Sequence, residues 1–140
     1  MDRKDFIINL GKSTAFVCAS CYLASCYDDE GNPVAPPPQN VDFTIDISQS
    51  PYTALQNTGG SIYKDGIIIA RLSSSSFAAL SQACTHQGTT VQYEQSNNRM
   101  HCPLHGSNYK TDGTVINGPA TRPLQKYNTS LSGTMLRVFS

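Results

Sequence analysis

The chain has 140 residues, enough for one domain with a modest core: 39% of them are hydrophobic, 14% are charged, and there is no Trp. The formal net charge is 0 and no run of Lys and Arg breaks the balance, so nothing in the chain pulls toward a phosphate backbone. Nucleic-acid binding is set aside on that ground. Taken in chain order, the first element is a basic start, Arg3, Lys4 and Lys12, followed by the mildly apolar run from Ser13 to Ser25. A positive head, a short apolar stretch and small residues before a break mark a secretory signal over residues 1–25. The run is shorter than the about 20 apolar residues a membrane span needs.

Leu23-Ala24-Ser25-Cys26 resembles a bacterial lipobox, in which the cysteine at the cleavage site becomes lipidated. The resemblance implies an exported chain anchored in the membrane through Cys26 and facing the periplasm or the cell surface. Arg3-Lys4-Asp5-Phe6-Ile7 is similar to a twin-arginine export signal, with Lys in place of the second Arg. Cys18 and Cys21 have no partner pair near them and read as small residues of the signal. Residues 26–40 follow as an acidic, proline-rich segment, with Asp28, Asp29 and Glu30 ahead of Pro33, Pro36, Pro37 and Pro38. Such a composition predicts a flexible tether with no core of its own.

From residue 41 to the end the pattern is short strands and turns. Asp42 to Ile47 alternates apolar and polar residues, as a half-buried strand does. Asp65-Gly66 lies between Ser61–Lys64 and the apolar run Ile67–Leu72, and Asp112-Gly113 separates Asn108–Lys110 from Thr114–Ile116. An Asp-Gly pair between such runs is a hairpin signal, because a tight turn needs positive φ. Ser73–Ser76 reads as a solvent loop, and Thr134–Phe139 as a last strand. No segment here has a helical period, so the expectation is an all-β antiparallel sandwich or barrel-like domain.

The chemistry sits in Cys84-Thr85-His86-Gln87-Gly88 and Cys102-Pro103-Leu104-His105-Gly106-Ser107. Each offers one thiol and one imidazole, and residues 87–101 between them are long enough for a strand, a turn through Gln95–Asn98 and a strand back. That hairpin would bring both segments to one end of a sheet. Two plainer readings stand beside a redox centre: a Cys84–Cys102 disulfide, and a zinc site with two Cys and two His. The disulfide does not account for two of only three histidines falling beside the cysteines. The one-residue gap between Cys84 and His86 is tighter than in usual zinc knuckles. His101, the third histidine, reads as an ordinary strand residue.

These two segments resemble the Rieske family, whose mark is Cys-x-His, a spacer of this size and Cys-x-x-His-Gly-Ser. Asp112–Val115 and Asn117–Ala120 match the part that closes over the family's cluster. The resemblance spans about Asp42 to the end, with the cluster-binding part at about 80–124. It implies a Rieske-type antiparallel β-sandwich with a small cluster-binding subdomain over 41–140. It also implies one 2Fe–2S cluster, with Cys84 and Cys102 on one iron and His86 and His105 on the other. Imidazole in place of thiolate raises the potential. Ser107 and Tyr109 match the hydroxyls that bond a bridging sulfide and a cysteine sulfur, which tunes the potential upward. Gly88 and Gly106 are expected to let backbone approach the sulfides and to aim N–H groups at them. Quinol-oxidising members join the loops through an extra cysteine in each; here those positions are Thr89 and Leu104, so packing by Leu104 and the Pro119 segment is expected to hold the loops. The function implied is one-electron transfer with a cytochrome, an oxidoreductase or an oxygenase as partner. The alternatives are a ferredoxin serving a ring-hydroxylating oxygenase, a quinol-oxidising subunit of a cytochrome bc-type complex or the small subunit of a molybdenum oxidoreductase, and a zinc-binding interaction module. No separate substrate site is expected.

Overall fold

In the computed structural model residues 33–140 are described. The expected signal, the expected lipidation site Cys26 and the acidic start of the expected tether lie outside the described residues. Ten short strands follow one another: β1 (Asp42–Asp46), β2 (Ser61–Lys64), β3 (Ile67–Arg71), β4 (Phe77–Ser81), β5 (Gln92–Glu94), β6 (Arg99–His101), β7 (Asn108–Lys110), β8 (Val115–Asn117), β9 (Lys126–Ser132) and β10 (Met135–Phe139). Two single 3-10 turns, Thr53–Gln56 and Gln95–Asn97, are the only helical pieces among the described residues. None of the described helices is long and apolar enough to cross a membrane.

The strands form a six-stranded sheet in the order β1-β10-β9-β4-β3-β2 and a four-stranded sheet in the order β5-β6-β7-β8. Every pairing is antiparallel. The all-β expectation holds, and the small sheet is the cluster-binding subdomain the resemblance implied. At the β2–β3 hairpin Asp65 and Gly66 both have positive φ, 49° and 80°, as a two-residue turn between right-twisted strands requires.

Strand β3 is apolar on both faces because it serves two cores. Ile67 and Ile69 pack with Ile45, Leu55, Leu136 and Val138 on one side. Ile68 and Ala70 pack with Leu80, Val91, Met100 and Leu124 on the other. Alternation along the strand sends successive side chains to opposite faces. The second core joins the small sheet to the large one, and it contains Cys84, Cys102 and Tyr109. The sulfur atoms are therefore anchored in the apolar interior that fixes the subdomain, where each fully buried Ile or Met contributes about 1.5–3 kcal/mol.

The proline-rich stretch at residues 33–40 makes contacts with the domain. Tyr127 donates its hydroxyl to the Pro38 carbonyl at 2.8 Å. Val34 lies against the first cysteine segment, its Cα 3.8 Å from where a Cβ on Gly88 would sit. Prolines have no N–H to offer, so such a strap is held through its carbonyls and its rings.

Candidate metal centre

The two cysteine segments are built on one backbone plan. In the first loop the Cys84 N–H donates to the Thr89 carbonyl and the Gly88 N–H to the Cys84 carbonyl, both at 2.8 Å. In the second, Cys102 N–H donates to Ser107 at 2.8 Å and Gly106 N–H to Cys102 at 3.0 Å. Both turns close through a glycine four residues after the cysteine, with φ of 78° at Gly88 and 80° at Gly106. A side chain there would strain the turn by about 1–3 kcal/mol. The glycines spend their own N–H groups on closing the turns. The N–H groups aimed at sulfur come from His86 and Gln87 toward Cys84, and from Leu104 and His105 toward Cys102.

Both cysteines are buried and free, so no disulfide joins them. The Tyr109 hydroxyl is 3.1 Å from Cys84 Sγ. Thr85 frames that hydroxyl: its N–H donates to the Tyr109 oxygen at 3.2 Å, and its Oγ1 lies 3.2 Å away. Thr85 commits its own proton to the Arg122 carbonyl at 2.7 Å. It can then only accept from Tyr109, whose single proton is shared between Cys84 sulfur and Thr85 oxygen. Burial pushes the Tyr109 phenol up to about 12, and the Cys84 thiol beside it adds to that, so it remains a donor at neutral pH. Burial also pushes the Cys84 thiol up, but the Tyr109 hydroxyl, the two loop N–H groups and the Cys102 thiol outweigh it and bring Cys84 below the ordinary thiol range. Cys102 moves the other way, raised by burial and then by the neighbouring Cys84 sulfur.

The β5–β6 hairpin does bring both loops to one end of the small sheet. The rings of His86 and His105 lie 5.0 Å apart, edge to face at 80°. His86 Nδ1 is buried with no hydrogen-bond partner. An orphaned buried nitrogen costs about 1–3 kcal/mol, a cost removed when it serves as a ligand. Beside His105, a Cβ on Gly106 would meet nothing within 4 Å, so the loop borders open space. Two inner thiols and two outer imidazoles fit a dinuclear iron–sulfur group with mixed ligands.

Ser107 is fully buried and its Oγ accepts the Ala120 N–H at 2.9 Å. Its own proton stays available, and the bond pins the Gly118–Ala120 segment to the second loop. Leu104 is 56% exposed, so it does not pack the loops together as expected; it projects from the apex of its turn. Other residues do that work. His101 Nδ1 meets Asn108 Oδ1 at 2.8 Å, across the β6–β7 pair. Asn108 donates to the Gly106 carbonyl at 3.0 Å and to Asn117 Oδ1 at 2.8 Å. Asn117 donates to Gly106 and Gly118 carbonyls, both at 3.1 Å. Thr85, His101, Asn108 and Asn117 were missed as site residues; the available signal was that the two asparagines flank the second loop and its closing segment.

A family model described as the Rieske [2Fe-2S] domain matches residues 41–128. The cytochrome b6-f complex iron-sulfur subunit of Chlorobaculum tepidum is 30% identical over 100 residues, 70% of this chain and 55% of the relative. The chain thus spans about half the length of that relative. The chloroplastic cytochrome b6-f complex iron-sulfur subunit of Bigelowiella natans is 50% identical over 46 residues, 33% of this chain and 18% of the relative. Among solved structures, the plasma membrane Rieske protein PetC3 from Synechocystis PCC 6803 aligns with a TM-score of 0.54 at 28% identity, over 63% of this chain and 93% of that one. The ferredoxin of carbazole 1,9a-dioxygenase from Nocardioides aromaticivorans IC177 shares the fold, with a TM-score of 0.52 at 19% identity over 75% of this chain and 98% of that one.

Proposed function

The chain belongs to the Rieske [2Fe-2S] domain family, and from that premise we propose that it is a membrane-anchored one-electron carrier. The observation that carries the reading is the pair of matched loops, which present two free buried thiols and two imidazoles at one end of the small sheet. Cys84 and Cys102 would hold one iron, and His86 and His105 the other. When bound, the cluster supplies a one-electron couple. The protein's own part is to bury the sulfurs and direct N–H and O–H groups at them. Each such donor favours the more negative, reduced state. Tyr109 does this at Cys84, held by Thr85, and Ser107 offers its remaining proton from the second loop. His105 is exposed at the tip and is the edge a partner would meet.

The proposed partner is a cytochrome or an oxidoreductase at the membrane face. Residues 1–25 serve as the signal, Cys26 carries the lipid, and the stretch from Cys26 to Asn40 links the anchor to the domain at 41–140. A second reading, a ferredoxin serving an oxygenase, is favoured by Thr89 and Leu104 in the places where quinol-oxidising members have cysteines. The test is the isolated full-length chain expressed with iron available. It should be red-brown and carry iron and labile sulfide in equal amounts, about two of each per chain. Stoichiometric zinc would refute the reading. Native material should start at a lipidated Cys26, and an intact Met1 without lipid by mass spectrometry would refute the anchor alone.

A further inference from the structure

The second ligand loop has no covalent fastening: Cys84 and Cys102 are free, and the tip carries the exposed Leu104. Besides the Ala120 N–H held by Ser107, it is fastened through one backbone carbonyl. Gly106 O accepts from both Asn108 Nδ2 and Asn117 Nδ2. A backbone carbonyl only accepts, so the Asn108 nitrogen must face it and Oδ1 must face His101. His101 Nδ1 then carries a proton and donates. Every amide proton in the network has an acceptor: Gly106 and Asn117 for Asn108, Gly106 and Gly118 for Asn117. The backbone is shaped for it. Between β7 and β8 the register shifts at Asn108/Tyr109, so that Asn108 pairs with Asn117 while Tyr109 pairs with Val115. A bulge of this kind re-aims side chains. Here it leaves Asn108, only 7% exposed, between β6, β8 and the loop.

We propose that Asn108, clamped between His101 and Asn117, is the positioning residue that holds the Gly106 carbonyl and with it the Cys102–His105 turn in ligating geometry. The proposal rests on the cluster reading above, since it says what keeps one cysteine and one histidine in place. The clamp holds one end of the Gly106–Ser107 peptide, and the Gly106 N–H bonded to Cys102 closes the other side of the residue. Losing the amide donors lets the turn open and its ligands scatter, without touching the six-stranded sheet.

Asn108→Asp is the sharpest probe. It keeps the shape and the oxygen facing His101, but sets a second oxygen against the Gly106 and Asn117 oxygens. Asn117 is exposed, so Asn117→Ala removes half the clamp with little risk to folding. On the full-length chain as isolated, amide exchange at Gly106 and His105, iron release to a chelator and the EPR spectrum of the reduced protein would be compared. Expected for Asn108→Asp is about tenfold faster iron release, in the range of lost outer-shell support. Gly106 exchange should be faster and the EPR lines broader, while β3 and β10 exchange as before. Asn117→Ala should show the same changes, smaller. Unchanged Gly106 exchange in both variants, or equal acceleration in β3 and β10, would overturn the proposal. If the wild-type chain holds no iron, the cluster reading falls, and Gly106 exchange still decides the clamp.

Discussion

The two cysteine loops share one backbone design and differ in what fastens them. Each closes with a Gly N–H returned to the cysteine carbonyl four residues earlier, and each turns two N–H groups toward its sulfur. The first loop is fastened at its sulfur, by Tyr109 held against Thr85 and the Arg122 carbonyl. The second is fastened at a carbonyl, by two asparagines that never reach its sulfur. The Tyr109 hydroxyl helps hold Cys84 below the ordinary thiol range, while burial and the neighbouring Cys84 sulfur raise Cys102. The turn is repeated, and the neighbours that hold it differ: a hydroxyl at the first sulfur, two amides at the second loop's carbonyl.

The largest expected effect treats the loops alike. Met100 is fully buried in the core that contains both cysteines. Met100→Ala should cost about 2–5 kcal/mol of stability, measured by urea unfolding. Amide exchange in the two loops should rise together; acceleration in only one would mean that they do not share a foundation.

The next effect separates them. Tyr109→Phe keeps the ring and removes the hydroxyl at Cys84. A charge-assisted bond contributes about 1.5–3 kcal/mol, which for one electron corresponds to a potential lower by roughly 60–130 mV. Voltammetry should show that fall for Tyr109→Phe and a smaller one for Asn117→Ala, which removes a donor to a carbonyl without adding a charge. Equal shifts would erase the division of roles.

The division was only partly legible in the sequence. The Asp65-Gly66 turn, the doubly buried β3 and the hairpin that joins the loops follow from local chemistry and from strand period, which short segments carry in themselves. The Tyr109–Cys84 contact was anticipated because it follows the family motif. The Asn108 clamp depends on a bulge that sets Asn108 opposite Asn117, and register shifts leave no mark in composition. Leu104 looked like a packing residue because it is apolar; at the apex of a turn whose N–H groups point inward, its side chain faces out. The bond that ties Pro38 to the domain leaves no local signal, because its partner Tyr127 lies 89 residues away.

The smallest effect lies away from both loops. Arg137 bridges β10 to Asp42 of β1 and holds that fully exposed carboxyl below its usual range, mainly by a side-chain hydrogen bond. A depressed carboxylate adds stability above its unfolded pKa and loses it as pH falls through the folded one. Arg137→Gln should therefore lower the melting temperature slightly at neutral pH, less in high salt, and the gap to wild type should close under acid conditions. Neither loop's exchange nor the potential should move. A gap that widens in acid would contradict the sign.

The central claim is that one thiol pair and one imidazole pair, brought together by matched loops, bind a single 2Fe–2S group. Pulsed EPR on the reduced, full-length protein reads the imidazoles directly. The account predicts two strongly coupled nitrogens, one lost in His86→Cys and the other in His105→Cys. A reduced cluster with no strongly coupled nitrogen would contradict it.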